Sequence, residues 1–482
     1  MNLKNLFNTI KYVDSMGNLN VEVLGLSQKI DKVKKGDLFF CFKGINSDGH
    51  CYASIAKQKG AVALVVEKFL KNINLPQILV KNTRKIMPKV CNNFFNNVSK
   101  KLKLIGITGT NGKTTSSTFI YNVLTFNNYK AGLIGTNGVE YCNKKTSLNL
   151  TTPDTVDLFY IFDEMSKNNI EYVVMEVSAH AIELNKLSGL KFEVGAFTNL
   201  TQDHLDFFKT KYNYALTKLK FLNKKYCKSC FINIDDKYGQ LFYKLINTKT
   251  ITYGLNNPAD NFAIDVVCSV NGCDFISNIF DEVLYVSSKI PCLFNVYNLL
   301  LSLSICYYLG LTKNQLLRAI KNLKTVDGRV NFYQLKNGAT VVIDFAHTPD
   351  GLEKILQNLS GLKRTGKLIT VFGCGGNRDT TKRSKMGEIA YKYSDKVYVT
   401  SDNPRYENPM EIIEEIVKNI KKDRCFIFEN RKEAILKAIE NSTHGDIILI
   451  AGKGSEKYQE IKGVKYLYND KNVVEPYLKK DN

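Results

Sequence analysis

The sequence has no basic tract beyond short pairs such as Lys34-Lys35 and Lys421-Lys422, no fixed-period repeat, no low-complexity linker and only five histidines. Its net charge of +21 comes from lysines scattered among many asparagines, so the concentrated footprint of a nucleic-acid binder is missing. The start, MNLKNLFNTIKYVDS, lacks the basic-then-apolar order of a signal peptide. A cytoplasmic, reduced protein is therefore expected, and the twelve cysteines are read as thiols rather than a disulfide framework. Cys227-Lys-Ser-Cys230 has the spacing of half a zinc site or a redox pair, but no second CxxC or His pair follows at a ligand-like distance. Residues 293–311, LFNVYNLLLSLSICYYLGL, reach membrane-spanning length, yet Asn295 and Asn298 share a helical face with Ser302 close by. That pattern predicts a core helix with one polar edge, and no membrane partner.

What is present is enough apolar material, 44% of 482 residues, for several buried cores. Up to about residue 100 the chain shows short apolar strands, GDLFFCFKG and AVALVV, around a Gly-Asp turn. From Lys103 it alternates: strand (LIGI), glycine-rich turn, helix (KTTSSTFIYNVL), then strands at YVVMEV, FEVGAFTNL and FINIDD with helical stretches between. Alternation of this kind predicts a mostly parallel sheet covered by helices. After Gly328-Arg329 it restarts with TVVIDFAH, LITVFGCGG, KVYVTSDNPR and IILIAGKG, each ending in polar or glycine residues. The expectation is an α/β protein of three domains: 1–100, small and α/β; 101–327, a parallel-sheet ATPase; and 328–482, Rossmann-like. Open parallel sheets bind ligands at the carboxyl edges of their strands, which makes those polar ends candidate sites.

Gly109-Thr110-Asn111-Gly112-Lys113-Thr114-Thr115 follows the LIGI strand and opens the helix. Glycines let backbone N–H groups approach phosphate oxygens, the lysine neutralises charge, and a threonine hydroxyl suits Mg²⁺. Strict Walker A spacing would put glycine at position 107, where Ile107 stands, so the match is to a Gly106-x-x-Gly109-x-x-Gly-Lys-Thr variant. Glu176 ends the YVVMEV strand, where a carboxylate could serve the nucleotide's metal. Asn199-Leu-Thr-Gln-Asp203-His204-Leu-Asp206 closes another strand.

GTNGKTT, LTTPD at 150–154, MEVSAH, FTNLTQDHLDF, FNVYN, DFAHTPD, GCGGNRD, SDNPR and GKGSE occur in that order. With them the chain resembles the Mur ligases, and among these the UDP-N-acetylmuramoyl-tripeptide synthetases, over essentially its whole length. The resemblance implies ATP-driven amide formation, adding a diamino acid to the D-Glu γ-carboxyl of UDP-MurNAc-L-Ala-D-Glu, by a cytoplasmic monomer using ATP and Mg²⁺. It implies one Mg²⁺ on Thr114 and Glu176, and a second on His204 and carbamylated Lys218, with Lys113 and Arg329 gathering positive charge at the transferred phosphoryl group. Carbamylation turns a cation into an anionic oxygen ligand and requires an unprotonated amine. For the nucleotide, the resemblance adds Asn295, Asn298, Asp344 and His347. For the UDP-sugar it gives Ser27, Asn46, Thr151, Thr152, Ser178 and Lys186, and for the incoming amino acid Arg378, Asp402, Asn403, Pro404, Arg405, Gly452 and Glu456.

Departures from the family pattern are Leu26-Ser27-Gln28 for Asp-Ser-Arg, Lys186 for an arginine, Asn377 for an aspartate and Ser455 for a histidine. Lys186 keeps charge but loses the bidentate fork. In the family, Asp-Asn-Pro-Arg marks users of meso-diaminopimelate, whose second carboxylate pairs with the arginine, so Arg405 predicts that substrate. L-lysine or lanthionine in the same reaction, and more remotely folylpolyglutamate or cyanophycin synthesis, are the alternatives; a polynucleotide-binding ATPase or an inactive scaffold is the reading from another class.

Overall fold

The computed structural model describes residues 1–44, 47–148, 150–362 and 366–479. The α/β chain builds three main sheets in sequence order: five strands between Asp14 and Leu79, eleven between Lys103 and Ser288, and six between Asn331 and Ala451. In the eleven-stranded sheet, Lys103–Thr108 lies between Tyr172–Glu176 and Phe192–Phe197, parallel to both. These strands are buried almost throughout, as continuous apolar runs are when helices cover both faces. Each crossover returns the chain to the same starting edge, so all three strands finish together, with Glu176 opposite Ile107 and Phe197 opposite Thr108.

The ends of this sheet depart from the parallel pattern. Gly138–Tyr141 and Lys144–Thr146 add an antiparallel edge on one side. On the other, Asn261–Ser269, Gly272–Ile279 and Glu282–Ser288 form an antiparallel meander. Glu282–Ser288 alternates exposed and buried side chains, the signature of a sheet with one wet face. Cys268 and Cys273 oppose each other in this meander and are joined by a disulfide, a pairing outside the expectation of a fully reduced chain; the other ten cysteines are free. Cys227 and Cys230 are buried, with thiols directed at the carbonyls of Phe221 and Leu222.

The apolar 293–311 run forms the helix Leu293–Tyr308, packed on the helix Lys113–Phe126. Its polar edge is internal: Ser116 donates to Asn298 Oδ1 at 3.0 Å, Asn298 donates to Asn295 Oδ1 at 3.0 Å, and Asn295 donates to the Pro291 carbonyl at 2.8 Å. Among the described residues no helix is long and apolar enough to cross a membrane.

In the six-stranded sheet, the parallel strands Thr340–Asp344, Ile447–Ala451, Leu368–Phe372 and Lys396–Thr400 lie side by side, with Asp344 opposite Ala451. The first two sheets share one core, running from Leu3 and Val90 through Phe159 to Phe242. The third sheet builds cores of its own, around Leu356 on one face and Ile448 on the other. It meets the eleven-stranded sheet edge to edge, carboxyl ends facing, and that seam holds the site.

Candidate active site

The glycine loop turns tightly between its strand and helix. Gly109 and Gly112 have φ of +150° and +85°, and a Cβ added to Gly109 would sit 1.8 Å from Thr198 Oγ1, so only glycine fits both the backbone and the space. Lys113 Nζ donates to the carbonyls of Gly109 and Thr110 at 3.0 and 2.9 Å. Burial lowers its pKa, against the pull of Glu176 and Asp203. Thr114 Oγ1 donates to Glu176 Oε2 at 2.9 Å and accepts from Arg329 Nη2 at 3.1 Å. Glu176 is 1% exposed and also accepts from the Thr136 N–H at 2.7 Å. Behind it, Thr152 donates to the Glu176 carbonyl at 2.8 Å and accepts from the Ser178 N–H at 3.0 Å. Thr151 meets Thr136 at 3.1 Å.

Lys218 lies beneath the loop rather than in the cavity above it. It is 1% exposed, donates to the Gly109 carbonyl at 2.7 Å and stands 4.5 Å over the Tyr214 ring. Burial, with Lys113 alongside, holds its amine well below the ordinary lysine range, although Asp203 pulls the other way. That is the condition under which a lysine reacts with CO₂. His204 has φ of +56° and stacks edge-on against His180, ring centroids 4.8 Å apart. Burial likewise disfavours its protonated form, leaving a neutral imidazole able to ligate. Among the described residues no group of three His, Cys, Asp or Glu is gathered as a metal cage. The donors present, a threonine hydroxyl on a buried carboxylate, instead suit Mg²⁺, which binds through one or two protein oxygens and completes its shell with water and phosphate.

Across the seam, Asn111, Gly112 and Thr115 share a cavity of about 430 Å³ with Asn295, Asn298, Arg329, Asp344 and His347. Asp344 accepts from the N–H groups of Val330 and Ala346 at 2.9 and 2.7 Å. His347 has its pKa lowered to about 4 by burial and by Lys382. A second cavity, of about 300 Å³, joins Thr110, Lys113, Thr114, Thr151, Glu176 and His204 to Arg378, Asp402, Asn403, Arg405, Gly452 and Glu456. Phosphate-binding and amino-acid-binding candidates thus face one space, although they come from different sheets.

Around Asp402-Asn403-Pro404-Arg405 the side chains interlock. Asn403 donates to Glu456 Oε2 at 3.0 Å and accepts from Lys453 Nζ at 2.9 Å. Lys453 is fully buried and also reaches Glu456 at 2.9 Å and Asp402 at 3.7 Å. Arg405, at φ of +53°, donates to the Gly376 carbonyl at 2.7 Å and pairs with Glu460 at 3.3 Å. Arg378 is exposed on the cavity wall. Asn377 explains itself: at φ of +51° it accepts from the Tyr406 N–H at 3.0 Å, and asparagine tolerates the left-handed region.

Ser27 lines a separate groove of about 830 Å³ with Lys29, Asp154 and Tyr160, between the first sheet and the helix Thr155–Lys167. There Gln28 accepts from the Val156 N–H at 2.9 Å, capping that helix. Lys186 meets Asp154 at 2.7 Å, and Lys29 meets its other oxygen at 2.7 Å. Asn46 lies outside the described residues.

Residues 107–306 match the Mur ligase middle domain, and 328–454 match the glutamate ligase domain of Mur ligases. A curated relative from Clostridium acetobutylicum, UDP-N-acetylmuramoyl-L-alanyl-D-glutamate--2,6-diaminopimelate ligase 1, is 43% identical over 482 residues, covering 99% of each chain. The chain belongs to the Mur ligase family. A solved UDP-N-acetylmuramoyl-L-alanyl-D-glutamate--2,6-diaminopimelate ligase superimposes on this Mur ligase with a TM-score of 0.70 at 28% identity, covering 99% and 98% of the two chains. The MurF ligase of Thermotoga maritima, solved in complex with ADP, shares the fold at 21% identity and a TM-score of 0.66, covering 90% and 95%.

Further polar contacts complete the site of this Mur ligase. Asp203 is 8% exposed, 3.4 Å from His204 and 4.0 Å from His347. Burial would raise its pKa, but His204, His347 and Lys382 hold it below the ordinary range. Gln202 donates to Asp379 and Thr381 at 3.1 and 2.8 Å and accepts from Lys385 at 3.2 Å. Asn111 donates to Asp350 at 3.0 Å. Asp203 and Gln202 stand beside His204 in a quoted motif, which was a usable signal; Lys382 reaches the His347 carbonyl, and Lys453 reaches distant Asn403 and Asp402 as well as nearby Glu456.

Proposed function

We propose that this Mur ligase joins an amine of meso-2,6-diaminopimelate to the D-Glu γ-carboxyl of UDP-MurNAc-L-Ala-D-Glu at the expense of ATP. The observation that carries the reading is the single cavity in which the glycine loop and Glu176 face the Asp402–Arg405 turn. The chain divides accordingly into 1–100 for the UDP substrate, 101–327 for ATP and 328–482 for the amino acid.

A carboxylate is a poor electrophile and repels the triphosphate, so cations must gather where charge develops. Lys113 and Arg329 do this from the protein side. A γ-carboxylate oxygen attacks the γ-phosphorus, and the bond to the bridging oxygen breaks to release ADP. The amine nitrogen then attacks the acyl phosphate carbon, and inorganic phosphate leaves as the amine loses a proton. Mg²⁺, when bound, neutralises the phosphoryl oxygens; Thr114 and Glu176 would hold one ion, and His204 with carbamylated Lys218 a second. Holding both reactants on facing sheets supplies much of the acceleration by positioning. Asp344, His347, Asn295 and Asn298 border the remaining part of the nucleotide, while Ser27, Thr152, Ser178 and Lys186 serve the UDP-sugar side. Arg405 takes the distal carboxylate of the amino acid, with Arg378, Asn403 and Glu456 around its reacting end.

The test is ADP release by the purified enzyme with UDP-MurNAc-L-Ala-D-Glu, ATP, Mg²⁺ and each of meso-diaminopimelate, L-lysine and lanthionine. Preferential turnover of meso-diaminopimelate, with the tripeptide product seen by mass, is the expected result. Preference for L-lysine would overturn the choice of amino acid, and failure to use the UDP substrate would overturn the reaction.

A further inference from the structure

The hairpin Tyr458–Ile461 and Val464–Leu467 is a two-stranded sheet apart from the three large ones, yet it is laced to the turn carrying Arg405. The Arg405 N–H donates to the Glu460 carbonyl at 3.0 Å and the Lys462 N–H to the Arg405 carbonyl at 2.6 Å. Gln459 donates to the Asp402 carbonyl at 2.7 Å, and the Glu460 N–H donates to Asn403 Oδ1 at 2.9 Å. Arg405 itself occupies the left-handed region, which costs a non-glycine residue energy unless its surroundings impose it. The hairpin is what imposes it.

The side chain is fixed as well as the backbone. Arg405 Nε forms an ion pair with Glu460 Oε2 at 3.3 Å, and one N–H on Nη1 donates to the Gly376 carbonyl at 2.7 Å. Both side chains are about four-fifths covered, at 21% and 23% exposure. Three N–H groups on Nη1 and Nη2 have no partner among the described residues, and a carboxylate received as a fork on the Nη1–Nη2 edge needs one from each nitrogen. We propose that Glu460 is a positioning residue for amino-acid selection: it holds Arg405 by Nε so that the Nη1–Nη2 edge is presented to a carboxylate on the far end of the incoming amino acid. Glu460 does not touch the substrate; it acts through Arg405. The proposal rests on the reading of meso-diaminopimelate as substrate. It places one determinant of choice in the hairpin, more than fifty residues after the motif that carries the arginine.

The experiment compares the full-length parent with Glu460→Ala and Glu460→Gln, measuring kcat and KM for meso-diaminopimelate, ATP and the UDP substrate, with thermal melting as a check of folding. Loss of a charge-assisted partner should raise KM for meso-diaminopimelate roughly tenfold in Glu460→Ala, with kcat and the other two KM values unchanged. Glu460→Gln, which keeps an oxygen beside Nε but loses the charge, should recover part of the loss. Residual turnover of L-lysine, which has no distal carboxylate, should be the same in all three proteins. An unchanged KM for meso-diaminopimelate in a folded Glu460→Ala, or an equal rise in all three KM values, overturns the positioning role alone. A parent that prefers L-lysine overturns the substrate reading and this inference with it.

Discussion

Lys218 concentrates the chemistry of the site in one side chain. A buried amine held on the Gly109 carbonyl and kept below the ordinary lysine range can be carbamylated, whereas a solvated lysine stays protonated. Lys218→Ala should lower tripeptide formation by roughly 100-fold or more, as loss of a group acting on developing charge does. Short carboxylic acids added to the assay should restore part of the rate; full activity in the variant would remove the carbamate from the mechanism. A second residue-scale outcome concerns pH. Burial favours the neutral form of Asp154, but Lys186 and Lys29 hold its pKa below the ordinary 3.8. A depressed carboxyl contributes stability above its unfolded pKa and loses it as pH falls through the folded one. Melting temperature should therefore drop as pH goes from about 5 to below 3.8, and Asp154→Asn should show a flatter profile in differential scanning fluorimetry. At this scale the sequence was informative wherever one residue type at one place sufficed. Lys113, Thr114, Glu176 and His204 are singled out by their motifs and line one cavity. Asp203 and Lys453 stand in quoted motifs with no role assigned, and Glu460 stands outside them, because a carboxylate or lysine on a loop looks like solvated surface until its partners are known.

At the scale of elements, the strand ending at Thr108 and the helix starting at Lys113 are held in register by what crowds the turn between them. Thr198 occupies the space a Gly109 side chain would need, and Asn298 that of Gly112, at 2.6 Å. Gly109→Ala should keep the fold at a cost of about 1–3 kcal/mol, the usual price of overpacking. Its affinity for a fluorescent ATP analogue should fall roughly 100-fold, because N–H groups displaced from the phosphates lose charge-assisted bonds. Wild-type affinity in that variant would mean the loop geometry is not what binds. The parallel strands were readable because burial on both faces makes them continuous apolar runs. The meander 261–288 was missed because alternation over short segments, with polar residues on the wet face, carries a weaker signal. The hairpin 458–467 was missed for the same reason: its strand Val464–Leu467 is exposed throughout.

Across the whole molecule, the two large sheets touch at their carboxyl edges through few but specific polar contacts. Gln202 bonds Asp379 and Thr381, Arg329 bonds Thr114, and Asn111 bonds Asp350. Gln202→Ala removes bonds made from the segment that also carries Asp203 and His204. It should increase the radius of gyration of the ligand-free enzyme in small-angle scattering and slow turnover by roughly tenfold, without changing the affinity for the UDP substrate, whose groove is lined by Ser27, Lys29, Asp154 and Tyr160 rather than by Gln202. An unaltered scattering profile and rate would leave the contact incidental. In each pair donor and acceptor lie at least 177 residues apart, so the seam could be expected only in outline, from where the strands end. The seam also ties heat stability to metabolism. The third sheet has its own cores and could melt as a separate unit, but a nucleotide held as proposed in the cavity between the sheets would bind only when both are folded, so its binding energy would add to their cohesion. As ATP rises, two melting steps should fuse into one; when ATP falls, the connection near Gly328 becomes the place where a protease first finds an opened chain.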